Sequence, residues 1–346
     1  TSNSMNATFT NDYPREGPVA ISSQSGAICS VVLDWARATR IGFSKFISVG
    51  NKLDIDEADL LGYLKDDEQT AVIGLYIEGM SKGQEFIRVA RETSRSKPII
   101  ALKAGRTSSG AKAASSHTGA LSGSDKVYDA ALAQAGVVRV KTIDELFDLL
   151  QAFGTSRIPE GEGLAIVTNA GGLGVMAADA VSDNGLSLAS FAPETVERLK
   201  AVLPEEANFY NPVDVIGDAD AARYEVAIRT VVEDPNVHMV LALLAPTDVL
   251  DISSVARTIA SFSGSSRVPI VASFVGGEDV EEGSRILMEA GVPSFQSPDR
   301  AARALSAMVR YKEMKERVPE GDMPKVAGDT AAVRRLLDRV RSEGRT

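Results

Sequence analysis

The sequence predicts an α/β protein built from two tandem doubly wound parallel-sheet domains. Three observations predict it: short, uniformly apolar runs alternate with longer amphipathic stretches, the alternation passes through the chain twice, and the two passes share residues in register. Strands buried on both faces read as unbroken apolar runs, and parallel pairing needs a crossover helix between strands. At roughly 150 residues per domain, 346 residues make about two domains, each long enough to bury its own core.

In the first half, strands are read at 19–23 (VAISS), 45–49 (KFISV), 71–77 (AVIGLYI), 98–104 (PIIALKA) and 137–140 (VVRV). Helices are expected near 26–39, 54–66, 82–95, 123–135 and 143–153. The second half repeats the rhythm with LAIVTN (164–169), LSLASF (186–191), MVLALLA (239–245), PIVASFV (269–275) and PSF (293–295). Ala20–Gly26 aligns with Ala165–Gly171. Farther on, Ala135-Gly136-Val137 followed by Ile143–Leu146 aligns with Ala290-Gly291-Val292 followed by Pro298–Ala301. Two copies of one fold result, at 17–154 and 164–310. A connection rich in Gly, Pro and charge joins them at 155–163. From Tyr311 the chain is strongly charged, breaks at Pro319–Pro324 and resumes as a short basic amphipathic helix.

Composition excludes several classes. The 44% hydrophobic and 24% charged content is that of an ordinary globular protein, which sets aside disorder and fibrous repeats. A net charge of −10 without a long Lys/Arg run sets aside nucleic acid and anionic membrane as partners. No apolar run approaches the roughly 20 residues that cross a bilayer. The single cysteine, Cys29, has no second thiol to pair with, which suits a reducing compartment and makes the cytoplasm the expected location. GxGxxG with its downstream acid, the P-loop, GxSxG, HExxH and CxxC are all missing, and neither histidine has metal-ligand spacing. No metal site is expected.

Each copy places small residues where its first strand turns into a helix: Ser22-Ser23-Gln24-Ser25-Gly26 and Thr168-Asn169-Ala170-Gly171-Gly172. Free backbone N–H groups and the positive helix end make such turns anion sites, although small residues also serve simply to let a chain turn tightly. His117 and His238 are the only histidines. His238 precedes a buried strand and reads as structural. His117 lies in a run of small and basic residues after the strand at 98–104, which reads as a loop at the carboxyl edge of the sheet, where open α/β sheets bind ligands. An imidazole there is either a nucleophile or an exposed loop side chain. A nucleophilic imidazole needs an acceptor to fix its tautomer. Glu78, directly after the strand at 71–77, reaches the same edge, as that acceptor or as a solvated loop acid.

SSQSGA (22–27), SVGNKLDID (48–56), YIEG (76–79), GRTSSGAKAASSHTGAL (105–121), NAGGLGV (169–175) and NPVD (211–214) together resemble the NDP-forming acyl-CoA synthetases, which include ADP-forming acetyl-CoA synthetase and are related to succinyl-CoA synthetase. The resemblance covers residues 17–310, and its specific part is the segment ending in His117-Thr118-Gly119-Ala120. It implies flavodoxin-like domains, a phosphoryl group carried on His117, Glu78 orienting that imidazole, and a phosphate cradle formed by Ser23, Gln24, Ser25 and Gly26 with Asn169, Ala170, Gly171 and Gly172. Gly50, Asn51 and Lys52 become a CoA or substrate loop. The implied reaction joins a small carboxylic acid to CoA at the expense of ATP, giving acyl-CoA, ADP and phosphate, with Mg²⁺ accompanying the nucleotide. A preceding CoA-binding domain, of which residues 1–16 resemble the trailing edge, and an ATP-grasp domain, toward which 311–346 lead, are the implied partners in a homo- or hetero-oligomer. The alternative is a non-catalytic module that senses CoA or acyl-CoA for an attached enzyme such as a protein acyltransferase.

Overall fold

The computed structural model describes residues 14–50, 52, 54–118, 124–317 and 330–343. The first domain runs β1 (Glu16–Ser23), α1 (Gly26–Thr39), β2 (Phe43–Ser48), α2 (Glu57–Asp66), β3 (Val72–Ile77), α3 (Gly83–Ser94), β4 (Ile99–Lys103), α4 (Ser108–Thr118), α5 (Asp125–Gln134), β5 (Val138–Val140) and α6 (Ile143–Thr155). The second runs β6 (Gly163–Thr168), α7 (Gly171–Asp183), β7 (Ser187–Leu188), α8 (Pro193–Val202), β8 (Val213–Asp214), α9 (Ala221–Val232), β9 (Met239–Leu244), α10 (Ile252–Ser261), β10 (Ile270–Phe274), α11 (Glu281–Glu289), β11 (Ser294–Phe295) and α12 (Pro298–Arg317). A separate helix, α13, spans Thr330–Ser342.

Among the described residues the strand pairs of both sheets are parallel, in the orders β2-β1-β3-β4-β5 and β11-β10-β9-β6-β7, with β8 pairing β6 off the second path. With the two-residue β8 set aside, and written by position within each copy, these are one order, first strand between second and third, which is the duplication read from the sequence. Gly136 and Gly291, aligned in the Ala-Gly-Val repeat, both take the left-handed conformation that ends a helix (φ 71° and 79°).

The period of two along each strand sorts side chains into separate cores. Val19, Ile21, Ile100 and Leu102 of the first sheet share a single core with Ile166, Leu241 and Leu243 of the second, through α1, α6, α7 and α12. Ala20, Ile73 and Leu75 face a private core under α2, α3 and α5. Ala165, Val240 and Ala242 do the same under α8–α11. The result is five layers, with helices from both domains in the central one.

The last helix of each domain, α6 and α12, locks that layer. The Tyr311 ring meets Phe153 edge-on at 5.5 Å, and its hydroxyl donates to the Ser94 carbonyl (2.7 Å). Arg300 forks onto the buried Asp148 carboxylate (2.7 and 2.9 Å). Burial raises the Asp148 carboxyl above its ordinary range, with Arg300 opposing the shift.

Three elements differ from the sequence reading. The segment after β4, read as a loop, is helical over Ser108–Thr118; it has no apolar periodicity to reveal this, but Ala111, Ala113 and Ala114 favour a helix, and the Thr107 hydroxyl accepts the Gly110 N–H (3.1 Å). The strand expected at 186–191 shrinks to Ser187–Leu188, because Asn211 takes over the middle of that edge of β6. Its side chain accepts from the Ile166 N–H (3.0 Å) and donates to the carbonyls of Leu164 (2.7 Å) and Ala189 (3.0 Å). Beyond it, β8 pairs with the end of β6. Finally, α12 continues past 310 to Arg317, burying Tyr311. Among the described residues no helix is long and apolar enough to cross a membrane.

Candidate functional site

The two strand-to-helix turns have the same internal construction. In the first, the Ser23 hydroxyl donates to the Ser25 carbonyl (2.9 Å) and accepts the Ser25 N–H (3.1 Å). In the second, Thr168 does the same to Ala170, at 3.1 Å each way. Ser25 caps α1 by accepting from the Ile28 N–H (3.4 Å), whereas Ala170 gives α7 no side-chain cap. Open space lies beside Gly26 and Gly172, and neither helix carries an acid in its first turn.

The carboxamides of these turns point away from the helix ends. Gln24 Oε1 accepts the N–H groups of Glu78 (2.9 Å) and Gly79 (3.0 Å), while its Nε2 donates to the Gly79 carbonyl (2.9 Å) and to Glu57. Asn169 makes the equivalent clamp, accepting the Ala245 N–H (2.8 Å) and donating to the Ala245 carbonyl (2.9 Å). Each ties the end of its domain's first strand to the end of the third. The backbone N–H of Gln24 is also engaged, by the Tyr76 carbonyl (3.2 Å). Of the residues expected to cradle phosphate, Ser23, Gln24, Ser25, Asn169 and Ala170 thus already spend their N–H groups or side chains within the turn or on the strand end. Among the described residues the first-turn N–H groups of Gly26, Gly171 and Gly172 have no hydrogen-bond acceptor, as the first turn of a helix leaves them.

Glu78 follows β3 directly, half-buried, at the carboxyl edge where the sequence placed it. Among the described residues no hydrogen bond or ion pair holds its carboxylate. The matching position in the second domain is Ala245, so only the first copy carries an acid there. His117 belongs to α4; its side chain, like residues 119–123 and Asn51, lies outside the described part of the structure. In the expected CoA loop, Gly50 and Lys52 both have left-handed backbones (φ 54° and 53°), and the Lys52 ammonium is spent on the Gly79 carbonyl (2.5 Å) and the Glu57 carboxylate (3.2 Å). The loop side chain therefore braces the Glu78-Gly79 strand end. His238 accepts the Gly163 N–H on Nδ1 (3.2 Å) and lies against Gly161, the structural role expected of it.

Three residues near these turns were given no role by the sequence reading. Asp214, within the NPVD motif, sets a carboxylate oxygen so close to Gly171 that a β-carbon there would lie 2.8 Å from it; its other oxygen accepts the N–H of Ile216, whose φ of 72° is unusual for a β-branched residue. Tyr128 accepts the Met80 N–H (3.1 Å). Lys103, at the end of β4, is buried with its ammonium 4.6 Å from the Tyr128 ring centroid. The available signals were two carboxamides at aligned positions, 24 and 169, and a lone charge in the otherwise apolar run PIIALKA.

Comparison with known proteins agrees with this geometry. Residues 16–153 match the succinyl-CoA ligase-like flavodoxin domain, and 164–319 match the ligase-CoA domain. The chain is 46% identical to an ADP-forming acetate–CoA ligase of Archaeoglobus fulgidus, over 91% of this chain and 45% of that protein. It is 44% identical to the α subunit of an ADP-forming acetate–CoA ligase of Pyrococcus furiosus, over 91% of this chain and 69% of that subunit. The solved dinucleotide-forming acetyl-coenzyme A synthetase 1 of Ca. Korarchaeum cryptofilum, in complex with phosphate and ADP, superimposes with a TM-score of 0.84 at 37% identity, over 91% of this chain and 68% of that one. The chain thus spans about half of one relative's length and about two thirds of the α subunit of another. With both domain models in tandem, the shared fold and this level of identity, the chain belongs to the family of ADP-forming acetyl-CoA synthetases, aligning with their α subunit.

Proposed function

We propose that this chain is the phosphohistidine-carrying part of an ADP-forming acyl-CoA synthetase, acting in the cytoplasm with a CoA-binding domain and an ATP-grasp domain. ATP, held with Mg²⁺ on the ATP-grasp domain, supplies the phosphoryl group. A ring nitrogen of His117 takes that group as the bond to the leaving ADP breaks, and later gives it to a carboxylate oxygen of the substrate. The acyl phosphate so formed is attacked by the CoA thiolate, releasing inorganic phosphate and acyl-CoA. Among the described residues no three His, Cys, Asp or Glu side chains are grouped to hold a metal ion.

The observation that carries the reading is the pair of equivalent turns whose first-turn amides suit an anion, with an uncommitted carboxylate beside the first. Each helix end concentrates about half a positive charge with N–H donors at Gly26 or at Gly171 and Gly172. Glu78 accepts from the imidazole nitrogen that does not bear phosphate, fixing the tautomer and stabilising the cation that forms on transfer. Gln24 and Lys52 hold the strand end that presents it.

The test is acid-labile phosphate on His117, read by mass spectrometry under alkaline conditions after incubating the complete enzyme with Mg-ATP. Phosphate on this residue, absent in His117→Ala, is the expected result. Folded enzyme without histidine phosphate would overturn the reading in favour of a sensor.

A further inference from the structure

We propose that Lys103 is a positioning residue of this site, its ammonium being the fixed counter-charge for the phosphoryl group of His117 when that group docks at the Glu78 edge. The inference rests on the phosphohistidine reading above.

Lysine at a strand end ordinarily extends its ammonium to water. Lys103 instead is only 4% exposed. It pairs in register with Ile77, the residue before Glu78, and the ladder continues one step further as the Ala104 N–H donates to the Ile77 carbonyl (2.8 Å). The ammonium bends back over this edge, donates to the Ala104 carbonyl and rests on the Tyr128 ring. Tyr128 cannot swing away without releasing the Met80 N–H, two residues beyond Glu78. The cation is thus fixed between the strand end bearing Glu78 and the start of the segment bearing His117.

A carbonyl and an aromatic ring hold the ammonium, but among the described residues no anion touches it. The charged groups near enough to act on it are Asp125 on α5, Arg139 on β5 and Glu78 after β3. Asp125 is taken by Arg139, which also holds Asp129 (3.0 Å). Among the described residues no carboxylate forms an ion pair with Lys103. A buried cation with no anion in contact is expensive to maintain, and an incoming phosphoryl dianion beside the Glu78 carboxylate needs a cation that one helix end only half supplies. Lys103 meets that need without reorganising, as an electrostatic stabiliser must. Burial also lowers the pKa of its ammonium, with Asp125 and Glu78 partly opposing, so the charge is lost at a lower pH than in an ordinary lysine.

The test uses the complete enzyme with Mg-ATP, measuring the rate of His117 phosphorylation by rapid quench as pH is raised, in wild type, Lys103→Met and Lys103→Arg. The methionine variant should slow phosphorylation on the order of a hundredfold and lose the alkaline fall in rate. The arginine variant, charged at every pH used, should retain most of the rate and hold it to higher pH than wild type. Should the methionine variant fail to fold, the arginine profile decides: an alkaline fall unchanged from wild type overturns the proposal, as does a folded methionine variant with wild-type rate and profile. Wild type that takes no phosphate on His117 instead overturns the phosphohistidine reading on which the proposal stands.

Discussion

Replacing Gln24 by Leu removes a clamp whose twin in the other domain serves as an internal control. Gln24 hydrogen-bonds three backbone groups of the Glu78-Gly79 strand end and the Glu57 side chain, whereas Asn169 bonds two backbone groups at Ala245. At about 1 kcal/mol net per bond, Gln24→Leu should cost about 4 kcal/mol, less whatever water recovers at this half-buried position, and Asn169→Leu, at a buried position, about 2 kcal/mol. Urea denaturation at fixed slope reads both losses. The functional consequences differ. Loss of Gln24 frees the backbone that aims Glu78, while loss of Asn169 frees a strand end that carries alanine. Phosphorylation of His117 in the Gln24 variant should therefore become less dependent on Glu78, so that adding Glu78→Gln costs less than it does in wild type; in the Asn169 variant the full Glu78 effect should persist. The reasoning is refuted if either leucine variant loses under about 0.5 kcal/mol, or if the Glu78 effect is equally large in both.

Glu78→Gln alone should slow phosphorylation on the order of a hundredfold with an unchanged unfolding midpoint, because no hydrogen bond or ion pair among the described residues depends on that carboxylate; a destabilised protein would mean that the acid is structural. Arg300→Met leaves Asp148 buried and unpaired, for a loss of about 3 kcal/mol at pH 8. The Asp148 carboxyl is already raised by burial, so its contribution to stability is present below its unfolded pKa and disappears as pH rises through the folded one. Without the arginine the folded pKa rises further, and the penalty should shrink when denaturation is repeated at pH 5; a loss independent of pH would contradict this. Gly171→Ala trades better helix propensity against contact with the Asp214 carboxylate, and should leave stability within about 1 kcal/mol. Thermal melts of that variant check the balance, and a larger loss would mean that Asp214 cannot yield.

Much of the fold was legible because both sheets are buried on two faces: continuous apolar runs such as AVIGLYI and MVLALLA admit few other readings. The duplication was legible from Ala20–Gly26 against Ala165–Gly171, and the placement of Glu78 followed from strand ends alone. What escaped depends on contacts distant in sequence. No local pattern shows that the Gln24 carboxamide reaches Glu78, or that Asn211 replaces a strand along β6. Helix α4 escaped for the opposite reason, since its small residues carry local propensity but no apolar stripe. Lys103 stood in plain view as a charge in an apolar run, but only its burial against Tyr128 distinguishes it from a lysine reaching water.

The central helix layer also bears on how such a protein can be encoded. Tyr311 on Phe153, Arg300 on Asp148 and the Gln151 side chain on the Ser294 carbonyl (3.0 Å) join the halves without using the peptide between 155 and 163. A proteolytic nick there should leave two polypeptides still associated, the main loss being the entropy of tethering. For this fold, gene fission or fusion at the domain junction is then close to neutral at the protein level, and the order of the halves along a chromosome is free to drift while their arrangement in space is not.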